Sequence, residues 1–157
     1  LLAPLGHERP QTPVLGQALE LELPSGCPDA GSWPGSLSWD GINLVPRPER
    51  RLWLGATLEP GQGLTDGTPN PEAAAALEQL RSLNGHAPAW LRDARVLRQW
   101  QGLRARPAGQ PAPLLECLEP GLLLASGHYR NGVLLAPASA AWVSASISSG
   151  DAAAGTG

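Results

Sequence analysis

The chain has 157 residues, 42% of them hydrophobic, and a net charge of −3, enough for one domain or parts of two around a real core. Its 11 basic residues are all arginine and form no long block, so composition excludes the electrostatic footprint of a nucleic-acid binder. No apolar run reaches the roughly 18 residues of a membrane span, and Leu1 to Gly6 lack the basic start of a signal peptide; a cytoplasmic protein is expected. The chain also lacks an initiator methionine, as expected of a piece of something longer. Cys27 and Cys117 permit one disulfide but form neither a Cys-x-x-Cys pair nor a zinc spacing. With 19 glycines and 17 prolines, well above the average share of about 12%, many turns and short elements are expected.

Residues 1–13 are proline-rich and predict a leading linker. Residues 14–23 end in an apolar–polar alternation, the pattern of a half-buried strand, and 24–35 form a loop. A hairpin follows, with 41–46 as one strand, 47–50 as the turn and 51–59 as the return; Pro46 suits a strand end because it cannot donate to the ladder. Asn70 is placed to cap a helix over about 71–84. Pro71 suits its first position, Ala73, Ala76, Leu77, Leu80 and Leu83 recur on one face, and Asn84-Gly85 supplies the stop. Residues 94–103 predict a strand and 104–113 a loop. Residues 114–118 and 122–126 flank Glu119-Pro120-Gly121 as a hairpin leading into a buried strand. After a glycine-bounded turn at 127–132, the small apolar run 133–147 predicts a buried helix despite Pro137. Residues 148–157 are low in complexity and expected to be disordered.

Three features invite a chemical reading. The run Gly61-Gln62-Gly63-Leu64-Thr65-Asp66-Gly67 lies between a strand and a helix, as a dinucleotide-binding loop would, but Asp66 stands where the third glycine belongs. An ordinary glycine-rich turn is the better reading. The strand–turn–helix unit over 122–147 aims backbone N–H groups and a helix dipole at one point, which suits an anion or an electron-rich oxygen. Glycine could equally serve backbone geometry there and nothing else. Arg104, Arg106 and Arg130 could hold a carboxylate with their planar forks, although solvated surface arginine is the commoner case. The histidines have no metal spacing, no Gly-x-Ser-x-Gly elbow occurs, and the six tryptophans fit packing better than base stacking.

Three stretches, in order, stand out as strings with a shared pattern. The first is Pro13-Val14-Leu15-Gly16-Gln17-Ala18-Leu19. The second is Leu44-Val45-Pro46-Arg47 with Leu54-Gly55-Ala56-Thr57-Leu58-Glu59. The third is Trp100-Gln101-Gly102-Leu103-Arg104 with Gly127-His128-Tyr129-Arg130-Asn131-Gly132-Val133-Leu134-Leu135-Ala136-Pro137. Together they resemble the glycine oxidase branch of the D-amino-acid oxidase family, and the last string is the most specific.

The resemblance implies an α+β fold: an antiparallel substrate-domain sheet with a covering helix over 1–103, then a return segment over 104–147 carrying the terminal strand and helix of a Rossmann-like FAD domain. It implies FAD as cofactor, with Gly127, His128, Tyr129, Arg130, Asn131, Gly132, Val133 and Leu134 beside the flavin. Arg104 would hold the substrate carboxylate, and Arg130 and Asn43 would also meet the substrate. Two departures from the family pattern stand out. Arg104 is followed by Ala105-Arg106-Pro107 instead of directly by proline, which makes Arg106 a competitor. Asn43 stands where a tyrosine is common. The implied reaction is oxidative deamination of glycine, a small amine or a D-amino acid with hydrogen peroxide release, in the service of thiamine thiazole synthesis. The alternatives are a D-amino-acid or sarcosine dehydrogenase using another acceptor, and a non-catalytic interaction fragment. The Gly-x-Gly-x-x-Gly that would hold the ADP part of FAD is absent, so the expected partners are a missing N-terminal FAD-binding half, a small substrate and a possible second copy of the chain, with neither nucleic acid nor membrane.

Overall fold

In the computed structural model, which describes residues 2–27, 32–62 and 70–150, the chain divides into two compact units. One spans Val14–Leu103, and the other combines residues 2–13 with 104–150.

The first unit is organised on β1 (Gln11–Glu22), whose leucine-rich middle pairs antiparallel with β4 (Arg51–Gly55) and, nearer its start, with the short β5 (Glu59–Pro60). Strands β2 (Leu37–Trp39), β3 (Ile42–Arg47) and β4 form an antiparallel meander, and β6 (Arg95–Pro107) also pairs with β1. The register sets Leu19 opposite Leu54 and Leu21 opposite Leu52, with Leu44 across from Leu54 on the far side. Alternate strand residues share a face, so these leucines and Ile42 make one apolar surface. Helices α1 (Pro71–Arg81) and α2 (Ala89–Arg92) and their connection cover it with Leu80, Leu83, Ala87 and Leu91. Full burial of a leucine contributes about 1.5–3 kcal/mol, and Leu21, Leu52, Leu54 and Leu91 are completely enclosed.

Helix α1 starts where its cap predicts: the Asn70 side chain accepts from the N–H of Glu72 at 3.0 Å and of Ala73 at 3.2 Å. It ends at Arg81 rather than 84, because Leu83 and Asn84 turn into the left-handed region at φ 48° and 54°. Leu83 still reaches the core.

Several expectations change. Strand β1 begins at Gln11, inside the predicted linker, and is buried on both faces from Val14 to Leu21. It lies between pairing strands, and its polar residues find partners: Glu20 is 3.5 Å from Arg51 and 3.8 Å from Arg98. The return strand of the hairpin stops at Gly55, and Glu59–Pro60 pairs separately with β1. Strand β6 extends to Pro107, so residues 104–107 are strand and not loop. Both cysteines are free thiols.

In the second unit, residues 3–5 form a 3-10 turn within the predicted linker. Strands β7 (Leu114–Glu119) and β8 (Leu122–Ser126) pair antiparallel around the expected turn, where Gly121 adopts φ 83°. Arg9 donates to Glu116 through Nε at 2.8 Å and approaches with Nη2 at 2.6 Å. This hydrogen bond raises the Arg9 pKa above its ordinary value. Strand β8 is half-buried rather than buried. Helix α3 (Gly132–Ser148) forms as predicted, but Ser139 is its only buried residue; Val133 is 94% and Leu134 77% exposed. A helix that is apolar all round needs cover on every side, and within its unit α3 is covered along a narrow strip. The expected disordered tail lies outside the described residues from 151 onward, whereas Ser148 closes α3. Among the described residues no helix is long and apolar enough to cross a membrane.

Candidate functional site

The turn between β8 and α3 requires glycine at its first position. Gly127 lies at φ 66°, and a Cβ there would stand 2.7 and 3.0 Å from Cγ and Cδ of Pro107 and 3.2 Å from Oε1 of Gln11. Left-handed backbone and contact on this scale leave room for glycine alone. Tyr129 is also left-handed, at φ 55°. The chain then closes into α3: Asn131 N–H donates to the His128 carbonyl at 3.0 Å, and Leu135 N–H to the Asn131 carbonyl at 2.8 Å. Asn131 makes no side-chain cap, so the first amide donors of α3, at Gly132, Val133 and Leu134, have no capping side chain. These are the orphan N–H groups of a helix start, at its positive end. Nε2 of His128 lies 2.8 Å from Oγ of Ser139, one helical segment further on.

Two arginines on the last part of β6 belong to the same unit as this turn. Residues 104 and 106 are two apart on one strand and therefore share a face. Arg104 is half-buried. The Arg106 guanidinium sits 5.7 Å from the Tyr129 ring centroid, a cation–π contact that holds it without consuming its hydrogen-bond donors. Arg130 is exposed and makes no ion pair among the described residues. All of the proposed flavin-contacting residues, together with Arg104, Arg106 and Arg130, thus belong to one unit. Three positive side chains and an uncapped helix start suit an acceptor-rich ligand. In the same unit, Oε1 of Gln11 and Nε2 of His7 are buried without a hydrogen-bond partner, His7 standing 3.6 Å from a Glu119 oxygen. Both residues line an open cavity of about 690 Å³. Sequence reasoning missed Pro107, Gln11 and Ser139, because only tertiary packing brings them to the turn.

Asn43 belongs to the other unit. It is exposed on β3, in register with Gly55 on β4, and Gly55 faces Ala18 on β1. A Cβ at Gly55 would stand 3.0 Å from the Ala18 Cβ, so a larger residue at 55 would need one of the two strands to shift. Further along the same face, Arg47 lies 4.2 Å over the Trp53 ring, and Trp53 meets Trp100 edge-on at 6.0 Å.

The Gly-Gln and Gly-Ala-Thr-x-Glu strings, 40 residues apart, meet in a buried polar network. The Gln17 N–H donates to Thr57 Oγ1 at 2.8 Å, and the Gln17 side chain donates to Glu59 Oε1 at 2.9 Å and to the Ala73 carbonyl at 2.8 Å. Thr57 donates to Glu59 at 2.5 Å. The network ties β1, β5 and α1 together. The glycine-rich run from Gly61 is described only at Gly61 and Gln62. Gln62 donates to Glu72 and accepts from Asn70 at 3.1 Å, so it is bonded to the start of a helix that is already capped. Residues 63–67 lie outside the described residues. Among the described residues no cluster of side chains is suited to a metal ion.

The profile of the FAD dependent oxidoreductase family matches residues 1–146. The chain belongs to that family. It is 36% identical over 144 residues to the glycine oxidase of Pseudomonas aeruginosa, covering 88% of this chain and 36% of that protein. It is 34% identical to the bifunctional protein ThiO/ThiG of Nostoc, covering 85% of this chain and 20% of that protein. Among solved structures, the glycine oxidase of Bacillus cereus superposes with a TM-score of 0.69 at 25% identity, over 96% of this chain and 40% of that one. The iminodiacetate oxidase of Chelativorans superposes at 0.66 with 27% identity, over 88% and 36%. The chain therefore spans between 25% and 40% of the glycine oxidases it matches. The α+β architecture with its antiparallel sheet agrees with these neighbours.

Proposed function

We propose that this chain supplies the substrate-binding sheet and the flavin-ring turn of an FAD-dependent amine oxidase of the glycine oxidase type. The observation that carries the reading is the glycine-requiring turn at 127–132 with its uncapped helix start, lying within the matched family region. On this reading the unit Val14–Leu103 belongs to the substrate domain and residues 104–150 to the FAD domain.

The donor set fits a flavin. Gly132, Val133 and Leu134 would offer backbone N–H groups to its pyrimidine edge, where negative charge grows as the ring is reduced. Gly127, His128, Tyr129, Arg130 and Asn131 would line the same edge. When bound, FAD supplies the two-electron acceptor, and oxygen takes the electrons to give hydrogen peroxide. The chain's own part is positioning. Arg104 would clamp the substrate carboxylate, with Arg106 the competing clamp, and Arg130 would add positive charge beside it. Asn43 would shape the substrate pocket in place of a bulkier tyrosine. Glycine or a small amine is the preferred substrate, and the relatives named ThiO/ThiG favour a role in thiamine thiazole synthesis; a cytoplasmic location belongs to the same proposal.

The test is a chimaera in which residues 1–146 replace the matching segment of the Pseudomonas aeruginosa enzyme. The expected result is bound FAD and peroxide release with glycine or sarcosine. Arg104→Ala should remove turnover and leave FAD content unchanged. If Arg106→Ala does so instead, the clamp is Arg106. A chimaera that holds FAD and oxidises no amine overturns the reading.

A second reading, that the chain acts as an interaction module, draws on the exposure of Val133, Leu134 and Ile147 on α3. It predicts a folded chain that captures another polypeptide through α3 and has no effect on amine oxidation.

A further inference from the structure

Ser139 is the single buried residue of α3, and its Oγ lies 2.8 Å from Nε2 of His128. Among the described residues this is the only hydrogen bond made by either side chain. A buried hydroxyl directs its hydrogen at an acceptor. A helical serine commonly sends it to the carbonyl four residues earlier, and Ser146 of the same helix does so, donating to Trp142 at 3.0 Å. Ser139 makes no such bond to Leu135. Its hydrogen is left with one acceptor, the imidazole nitrogen.

A neutral imidazole that accepts at Nε2 carries its own hydrogen on Nδ1. We infer that Ser139 is a positioning residue that locks neutral His128 in the Nδ1–H tautomer, so that the turn presents a fixed N–H donor to a carbonyl oxygen of the bound ring. The ligand class rests on the flavin reading above, whereas the tautomer does not. Nδ1 has no partner among the described residues, so the donor is free for a ligand. The backbone on either side is defined: Gly127 before the histidine adopts φ 66°, and the His128 carbonyl is engaged by Asn131. Without the serine, the imidazole would be free to place its hydrogen on either nitrogen, and the turn would present an acceptor as readily as a donor.

The test reads the tautomer directly, on the full 157-residue chain without FAD. Long-range proton–nitrogen correlation spectra are recorded on nitrogen-labelled protein about two pH units above the ordinary histidine pKa, with His128 assigned by the signal lost in His128→Gln. The expected pattern is a pyridine-type shift at Nε2 and a pyrrole-type shift at Nδ1. The reverse pattern, or two averaged shifts, overturns the inference. Ser139→Ala should move both His128 shifts toward averaged values, and Ser139→Thr, which keeps the hydroxyl, should restore them. His128 shifts that are the same in Ser139→Ala as in the unsubstituted chain also overturn it. If Ser139→Ala does not fold, the unsubstituted spectrum decides by itself. Because no flavin is present, failure here is distinct from failure of the chimaera.

Discussion

Replacing Gly127 with alanine probes how tightly the turn is constrained. Two costs add. A left-handed residue with a Cβ costs about 1–2 kcal/mol, and forcing that Cβ into the Pro107 ring, 2.7 Å away, costs about 1–3 kcal/mol more. The expected loss is about 2–5 kcal/mol. Gly109 is the internal control: it lies in the same unit at φ 68°, but a Cβ there meets nothing within 4 Å. Gly109→Ala should therefore show only the backbone cost, about 1–2 kcal/mol. Urea unfolding followed by circular dichroism measures both. In a Pro107→Ala background the Gly127→Ala cost should fall toward that of Gly109→Ala, since neighbouring sites couple. Equal costs for the two glycines in the unsubstituted chain would refute the steric half of the reasoning, and with it the view that Pro107 sets the turn.

Further outcomes follow from single contacts. Asn70→Ala removes the cap of α1 and should cost about 0.5–2 kcal/mol, measured by the same urea titration, with Asn70→Asp retaining most of the stability. Thr57→Val leaves the buried Gln17 N–H without its acceptor and Glu59 without a hydroxyl donor, and should cost about 1–3 kcal/mol; a neutral result would mean that the network is slack. The Glu22 carboxyl is held below its ordinary pKa chiefly by its hydrogen bond from Arg95. Because the folded value is the lower one, its contribution is full above the ordinary glutamate value of about 4.3 and is lost as pH falls through the folded value. Arg95→Ala should thus weaken the chain at neutral pH and flatten the acid limb of a stability–pH curve. Unchanged acid sensitivity would show the pair to be inert.

What the residues determined by themselves is local or carried by distinctive strings. Asn70-Pro71 and the spacing of Ala73 to Leu80 specify a helix start through capping and periodicity, both of which act over a few residues. The hairpin at 114–126 follows from a Pro-Gly turn between two apolar runs. The strings at 13–19, 44–47 with 54–59, and 100–104 with 127–137 carried the family, and the fold shows that the first two are halves of one hydrogen-bonded network around Gln17, Thr57 and Glu59. Tertiary structure decided everything that depends on what covers a surface. Glu20 is buried because two arginines reach it from other strands, although its place in an alternating run points to solvent. Residues 104–107 extend a strand because β6 runs on into the first part of the expected loop before it ends at Pro107. Helix α3 has no polar face from which its exposure could be read, and only packing shows that one serine faces inward while Val133 and Leu134 do not. Ser139 and His128 meet across 11 residues, because the turn folds the histidine back against its own helix, a contact that no spacing rule announces.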